Sequence, residues 1–195
     1  MTPLSFKDHG QRRVREDLPD LVAIVSGGQT GADACGLRAG RRLGLKTGGH
    51  APEGWKTLDG PAPWLGTEFG LVEFGRDYPP RTARNVHRSD ATCRLAEDFL
   101  SPGERCTLKA ITKYGRPYLD ISLSRSSGSL RVVHGYDPGT GARASGEEQA
   151  AQLLVDFLRR HKVRILNVAG NSLKTAPGID LVAEEFLVHA LQRQS

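Results

Sequence analysis

The sequence predicts a parallel α/β sandwich, and three observations carry that expectation. Apolar runs of strand length alternate with stretches of helical period along most of the chain. Residues 21–25 form an apolar run that passes straight into a glycine-dense turn with a helix behind it. Residues 163–169 are a second run apolar enough to be covered on both faces. Strands buried on both sides and joined by helices are the sequence form of a parallel sheet.

The elements follow in order. Residues 1–20 mix Lys7, Arg12, Arg13 and Arg15 with Asp8, Glu16, Asp17 and Asp20 and show no period. They read as a loosely attached polar arm, which leaves 21–195 as one domain. After the first strand, a helix spans 32–43 and stops at Gly44, where a left-handed cap is expected. A short strand at 45–47 leads into Gly48-Gly49-His50. Residues 51–80 hold five prolines and five glycines, and read as a long ordered loop or lid. A short helix at 81–88 and a strand at 91–96 come next. Ser101 and Glu104 form a capping box, with Pro102 at the first helical position, for a helix through 113. Residues 118–123 are a strand. Residues 124–144, rich in Ser, Gly and Arg around an apolar patch at 130–133, read as a hairpin or an excursion from the core. Ser145 and Glu148 repeat the capping box before a helix that buries Ala151, Leu154, Val155 and Leu158. The 163–169 strand turns over 170–176, and Pro177 opens a last helix to residue 191.

Composition narrows the function. With 195 residues and 38% hydrophobic content, the chain can bury a single core. Only 6% of residues are aromatic, which argues against wide stacking platforms for single-stranded nucleic acid. The net charge of +5 suits an anionic ligand. No helix-turn-helix, zinc-finger or RNA-reading signature appears, so no nucleic-acid partner is expected. Cys35, Cys93 and Cys106 are odd in number and lack CxxC spacing, which disfavours a disulfide framework or structural zinc and points to a reducing compartment. The six histidines show no HxxxH or HxH spacing, and no metal site is expected. No apolar run reaches the roughly 18 residues of a membrane span. The first 20 residues have no apolar stretch of a secretory signal. A cytoplasmic protein without a membrane partner is the expectation.

Three strand ends carry loops suited to anions, since ligands of open parallel sheets bind beyond the carboxyl ends of the strands. The first is Gly27-Gly28-Gln29-Thr30-Gly31. Glycines let the backbone turn tightly and approach a guest, and a helix start adds N–H donors and a positive dipole end. Neither a GK[ST] ending nor a GxGxxG fingerprint is present. A tight strand–helix turn without a guest is the other reading. The second is Ser101-Pro102-Gly103 with Thr107 one turn on. Arg105 opposes the dipole there unless an anion offsets it; Ser101 as a plain cap is the alternative. The third runs from Gly170 through Asn171, Ser172, Lys174 and Thr175 to Gly178. Lys174 is a point charge for a phosphate, and a solvated loop capped by Thr175 is the alternative. Arg81, Arg84 and Arg88 share a helical face, either a solvated one or the rim of an anion entry. Asp33 is placed to cap or orient the glycine turn, Cys35 to lie in the core, and His50 either in the core or against a ligand.

These residues form a series in one order. It runs from 27–33 (GGQTGAD) through Gly48-Gly49, Pro52-Glu53-Gly54 and Asp59-Gly60-Pro61. Arg81-Thr82, Asn85-Val86 and Ser89-Asp90-Ala91-Thr92 continue it. Leu166-Asn167-Val168-Ala169-Gly170 and Ala176-Pro177-Gly178-Ile179 close it. Over residues 21–191 the chain resembles the molybdenum carrier family, in a circularly permuted branch of the lysine-decarboxylase-like group. The resemblance implies a Rossmann-like three-layer sandwich with a mainly parallel sheet. It also implies a homo-oligomer that binds, protects and transfers the molybdenum cofactor, with molybdenum enzymes as recipients. Related phosphoribohydrolases carry a Pro-Gly-Gly-x-Gly-Thr-x-x-Glu run. Set on residues 102–110, that run places Ala110, or with a one-residue shift Lys109, at the catalytic glutamate, leaving no carboxylate for acid–base work there.

The reading is therefore a carrier rather than an enzyme, with no catalytic residue. Gly27, Gly28, Gln29, Thr30 and Gly31 would hold a phosphate or oxo group in a basic glycine-lined cleft. Ser101, Gly103 and Thr107 would form a second seat, with charge from Arg105 and Lys174. The alternative is a nucleotide-processing enzyme or a nucleotide sensor, with Asp33, Glu53 or Glu73 as the carboxylate.

Overall fold

The two most apolar runs of the sequence lie side by side in the middle of the sheet. The structure is a computed structural model and describes residues 4–192. Its elements are β1 (Phe6–Lys7), β2 (Ala23–Val25), α1 (Ala32–Arg42), β3 (Lys46–Ala51), β4 (Lys56–Thr57), β5 (Gly60–Pro61), α2 (Trp64–Phe69) and β6 (Leu71–Glu73). Then come α3 (Tyr78–Arg88), β7 (Ala91–Ala96), α4 (Pro102–Tyr114), β8 (Tyr118–Ser126), β9 (Ser129–Asp137), β10 (Ala142–Ser145), α5 (Glu147–Arg160), β11 (Ile165–Gly170) and α6 (Ile179–Leu191). The main sheet has the order β1-β3-β2-β11-β7-β8-β9-β10, with β6 pairing to β3. The run from β6 through β3, β2, β11 and β7 to β8 is parallel. Strands β1, β9 and β10 add on antiparallel. Helices α1, α5 and α6 pack together over one face, and α3 and α4 pair on the other. The expected Rossmann-like three-layer architecture is what forms.

Local chemistry explains the elements. Strands β2 and β7 are buried at every position, which only apolar or internally paired side chains permit. Helix α1 lies close against the sheet because Gly36 has no side chain; a Cβ there would meet the Val168 Cβ at 2.6 Å. Gly44, at φ +65°, ends α1 as expected. From β2 the chain crosses through α1 to β3 on one side, and from β7 through α4 to β8 on the other. The carboxyl ends of β2, β11 and β7 thus flank the point where the direction of crossover reverses, where ligands of open sheets bind.

Several expectations are corrected. The polar arm is attached along its described part. Its β1 pairs with β3, Arg13 N–H bonds to the Leu43 carbonyl at 2.7 Å, and Val14 and Leu18 enter the main core. Two apolar residues among many charges were enough to anchor it. Residues 1–3 of the arm and 193–195 of the domain lie outside the described residues. The stretch at 51–80 is not a plain loop. It folds as the β4–β5 hairpin, α2 and β6 around a second apolar cluster of Leu37, Ala51, Ala62, Leu65, Phe69 and Leu71. Most of its prolines and glycines sit in turns or at element ends, as with Pro63 before α2 and Gly70 in the left-handed cap after it. For residues 124–144 the first of the two readings holds: they form the β8–β9 hairpin and lead into β10. The Ser145–Glu148 capping box does not form. Ser145 belongs to β10, Gly146 precedes α5, and Glu148 faces His189 at 3.0 Å. Pro177 lies ahead of α6, which starts at Ile179 behind Gly178.

Candidate functional site

A cleft of about 350 Å³ opens at that crossover reversal, at the small end of the range of about 300–1,000 Å³ that holds organic ligands. Its lining draws on three strand ends and the start of α3. Gln29 and Asp33 follow β2. Ser101, Gly103, Glu104, Cys106 and Thr107 come from the start of α4. Gly170, Asn171, Ser172 and Thr175 follow β11, while Leu58, Tyr78 and Arg81 close the front.

The glycine turn has a more specific use than an open cradle. At Gly27 the absent side chain makes room for Arg81, whose guanidinium Nη1 lies 1.4 Å from where a Cβ would stand. Asp33 holds that guanidinium at 2.9 Å. Both side chains are about nine-tenths buried, so the pair sets a fixed, desolvated cation against the cleft wall. The turn's own donors are largely engaged. Gln29 N–H points to Asp33 at 3.3 Å, Thr30 N–H to the Gln29 side chain at 2.9 Å, and Ala32 N–H to the Asn171 carbonyl at 3.0 Å. The Gln29 amide oxygen also accepts the Leu58 N–H at 2.9 Å, which ties the tip of the β4–β5 hairpin to the cleft. Asp33 thus orients the turn, as expected, and also holds Arg81.

The other expected residues divide. Gln29, Ser101, Gly103 and Thr107 line the cleft, together with Asn171, Ser172 and Thr175. Gly28 faces away, against Leu65 and Leu71, and Gly31 presses on the backbone of residues 171–173. Thr30 is half-buried, and its Oγ1 has no hydrogen-bond partner among the described residues. Arg105 and Lys174 are exposed and outside the lining: Arg105 turns back to the Leu100 carbonyl at 2.7 Å, and Lys174 is exposed although its neighbours Ser172 and Thr175 line the cleft. The cation of the cleft is Arg81, one of three arginines read as a single helical face. Arg84 lies over the Phe74 ring at 5.0 Å instead. Cys35 is in the core. His50 is buried, bonded through Nδ1 to Asn85 at 3.1 Å, with its pKa lowered chiefly by burial. It does not line the cleft.

Asn171 is a bracket. Its amide oxygen accepts the N–H groups of Glu97 and Asp98 at 2.9 and 2.8 Å, and its nitrogen donates to the Asp98 carbonyl and to Ser101 Oγ. One buried side chain thereby fixes the loop ahead of α4 to the end of β11. Gly31, at φ +96°, lets the same segment close on the glycine turn, since a Cβ would stand 2.4 Å from the Asn171 carbonyl oxygen. Gly31→Ala is expected to lower unfolding stability by about 2–4 kcal/mol in urea titration.

By sequence Glu104 is a capping residue. Half of that box exists: Ser101 Oγ accepts the Glu104 N–H at 3.5 Å. The Glu104 carboxyl instead lies buried against Arg94, and burial pushes its pKa up to about 8, with Arg94 opposing the rise. Ala110 and Lys109, the positions that the related hydrolase run implies for its glutamate, do not line the cleft; Ala110 packs beside Val86 and Ile111. A carboxyl does stand at this helix start, five residues before Lys109 and six before Ala110. The signal for it was present. An arginine inside the all-buried strand β7 requires a counter-charge, which Asp120 on β8 supplies, and the Glu104 carboxyl lies beside the pair. The raised Glu104 pKa has a stability consequence. The folded chain holds this proton between pH 4.5 and 8 where the unfolded chain releases it, so stability falls as pH rises through that window. Glu104→Gln is expected to flatten that fall, giving a higher melting temperature than the parent at pH 8.5 and little difference at pH 5.

Comparison with known proteins agrees with this architecture. The model of the circularly permutated YpsA SLOG family matches residues 24–137. No curated protein matches the chain. Among solved structures, the "Putative molybdenum carrier protein" of Syntrophus aciditrophicus SB superposes with a TM-score of 0.71 at 29% identity. That match covers 87% of this chain and 94% of the other. The chain belongs to the circularly permutated YpsA SLOG family.

Proposed function

We propose that the cleft binds the molybdenum cofactor as cargo, shields it and hands it on. The observation that carries this reading is the buried Arg81 guanidinium seated over Gly27 on the cleft wall. A desolvated arginine held in place by a carboxylate offers its remaining N–H groups to a phosphate or oxo group with little reorganisation. Gly103, at the start of α4 with open space around it, adds a helix N-terminus to the same lining. Leu58 and Tyr78, both partly exposed at the mouth, supply apolar cover for a flat ring. The name of the Syntrophus aciditrophicus neighbour points the same way. In this reading Gln29, Ser101 and Thr107 contact the guest from the cleft lining, and Gly27, Gly28, Thr30 and Gly31 shape the turn that positions Arg81. Arg105 and Lys174 act at long range on approach. The carrier is a cytoplasmic homo-oligomer, and its recipients are molybdenum enzymes.

The test is an anaerobic titration of the protein with the cofactor, followed by exposure to air. Saturation at one cofactor per chain and slower oxidation of the bound form are expected. Oxidation at the rate of the free cofactor would overturn the carrier role. One observation favours a second reading, a nucleotide-processing enzyme: Glu104 is a protonated carboxyl in the same cleft, as a general acid would be. Release of free base from nucleoside monophosphates, lost in Glu104→Gln, would replace the carrier reading with that one.

A further inference from the structure

The cleft wall holds a carboxyl group whose bonding is incomplete. The Glu104 side chain is 1% exposed, and the residue lines the cleft. Its Oε2 has no hydrogen-bond partner among the described residues. The neighbouring cation does not supply one. Arg94 Nη1 stands 3.6 Å away, while its Nε and Nη2 are committed to the two oxygens of Asp120 at 2.8 and 2.6 Å. The capping role is closed as well, because Ser101 N–H turns to the Asp98 carbonyl. Buried carboxyl oxygens in folded proteins are nearly always bonded, and an exception at a cleft points to a partner from outside.

We propose that Glu104 recognises the ring of the ligand, accepting the two adjacent N–H donors of a 2-amino-4-oxo heterocycle, the edge shared by pterins and guanine. The proposal rests on the anion-binding reading of this cleft and names the chemistry that meets the ring. A carboxylate meets two neighbouring donors with two acceptor oxygens, a match that a neutral amide cannot make. A 2,4-dioxo ring would instead set a carbonyl oxygen against the carboxylate. The anchors are suitably different: Arg81 is a cation for phosphate, and Glu104 is an acceptor for N–H. In the free protein burial keeps Glu104 protonated at pH 7. Arg94 opposes that, and Asp33, Asp120 and Asp98 reinforce it. Recognition through the carboxylate therefore displaces a proton.

The experiment is calorimetric titration at pH 7 in buffers of different ionisation enthalpy. One arm uses 6-hydroxymethylpterin phosphate against the corresponding lumazine, and the other uses GMP against IMP. Inorganic phosphate serves as competitor. The parent protein is expected to prefer the 2-amino ring at least tenfold in one arm, with net proton release. Glu104→Gln, which mimics the protonated side chain and so keeps the fold, is expected to reduce the preference below threefold and abolish the proton release while phosphate binds as before. Preference confined to the pteridine arm assigns a pterin, and preference confined to the purine arm assigns a guanine nucleotide. Equal affinities within both pairs, or a preference that survives in Glu104→Gln, overturns the assignment. Ring preference without competition from phosphate would instead sink the anion-binding reading and leave Glu104 in place.

Discussion

Arg94→Met is expected to cost about 3–5 kcal/mol of folding stability, read by chemical denaturation. Arg94 is 3% exposed in the middle of β7, and Asp120 on the adjacent parallel strand meets it through two hydrogen bonds. Its guanidinium also lies 5.0 Å from the Phe99 ring and 5.1 Å from that of Tyr118. Removing the cation leaves the largely buried Asp120 carboxylate without its partner, and takes from Glu104 the one neighbour that favours its charged form. The double variant Arg94→Met/Asp120→Leu is expected to recover most of the loss, since a packed apolar pair can replace a buried ion pair at little cost. A single variant as stable as the parent would mean that water reaches this pair.

The second large effect is on binding. Arg81→Gln is expected to weaken phosphate-bearing ligands by about 100-fold, the scale set by losing a charge-assisted contact and leaving Asp33 uncompensated beside the guest. Folding and binding separate in the pair Arg81→Gln/Asp33→Asn, in which no buried charge is left alone. That variant is expected to melt near the parent temperature and still bind phosphate weakly. Undiminished affinity in the double variant would show that the anion is held elsewhere. Gly27→Ala supplies an independent route to the same end, because its methyl group would occupy the space of the Arg81 guanidinium.

The legible part of the molecule is the part encoded locally. The apolar runs at β2 and β11, Gly44 closing α1, and Ser101-Pro102 opening α4 each state their structure within a few residues, because caps and strand burial depend on near neighbours. The spread of prolines and glycines over residues 51–80 misled, since the same residues that mark a loop also mark the ends of short elements. The cluster of Leu65, Phe69 and Leu71 with Leu37 and Ala51 arises only when those elements fold onto one another.

By itself, the sequence determined that a parallel α/β sheet would form and that loops after its central strands would carry the chemistry. Tertiary structure alone decided which charges enter the cleft. Arg81 reaches Gly27 and Asp33 from another helix, Arg94 meets Asp120 only because β7 and β8 are in register, and Arg105 and Lys174 turn outward although their positions suggested otherwise. The reason is physical. Backbone preference is set by neighbours along the chain, whereas the cost of burying a charge is settled by whatever partner the fold brings beside it.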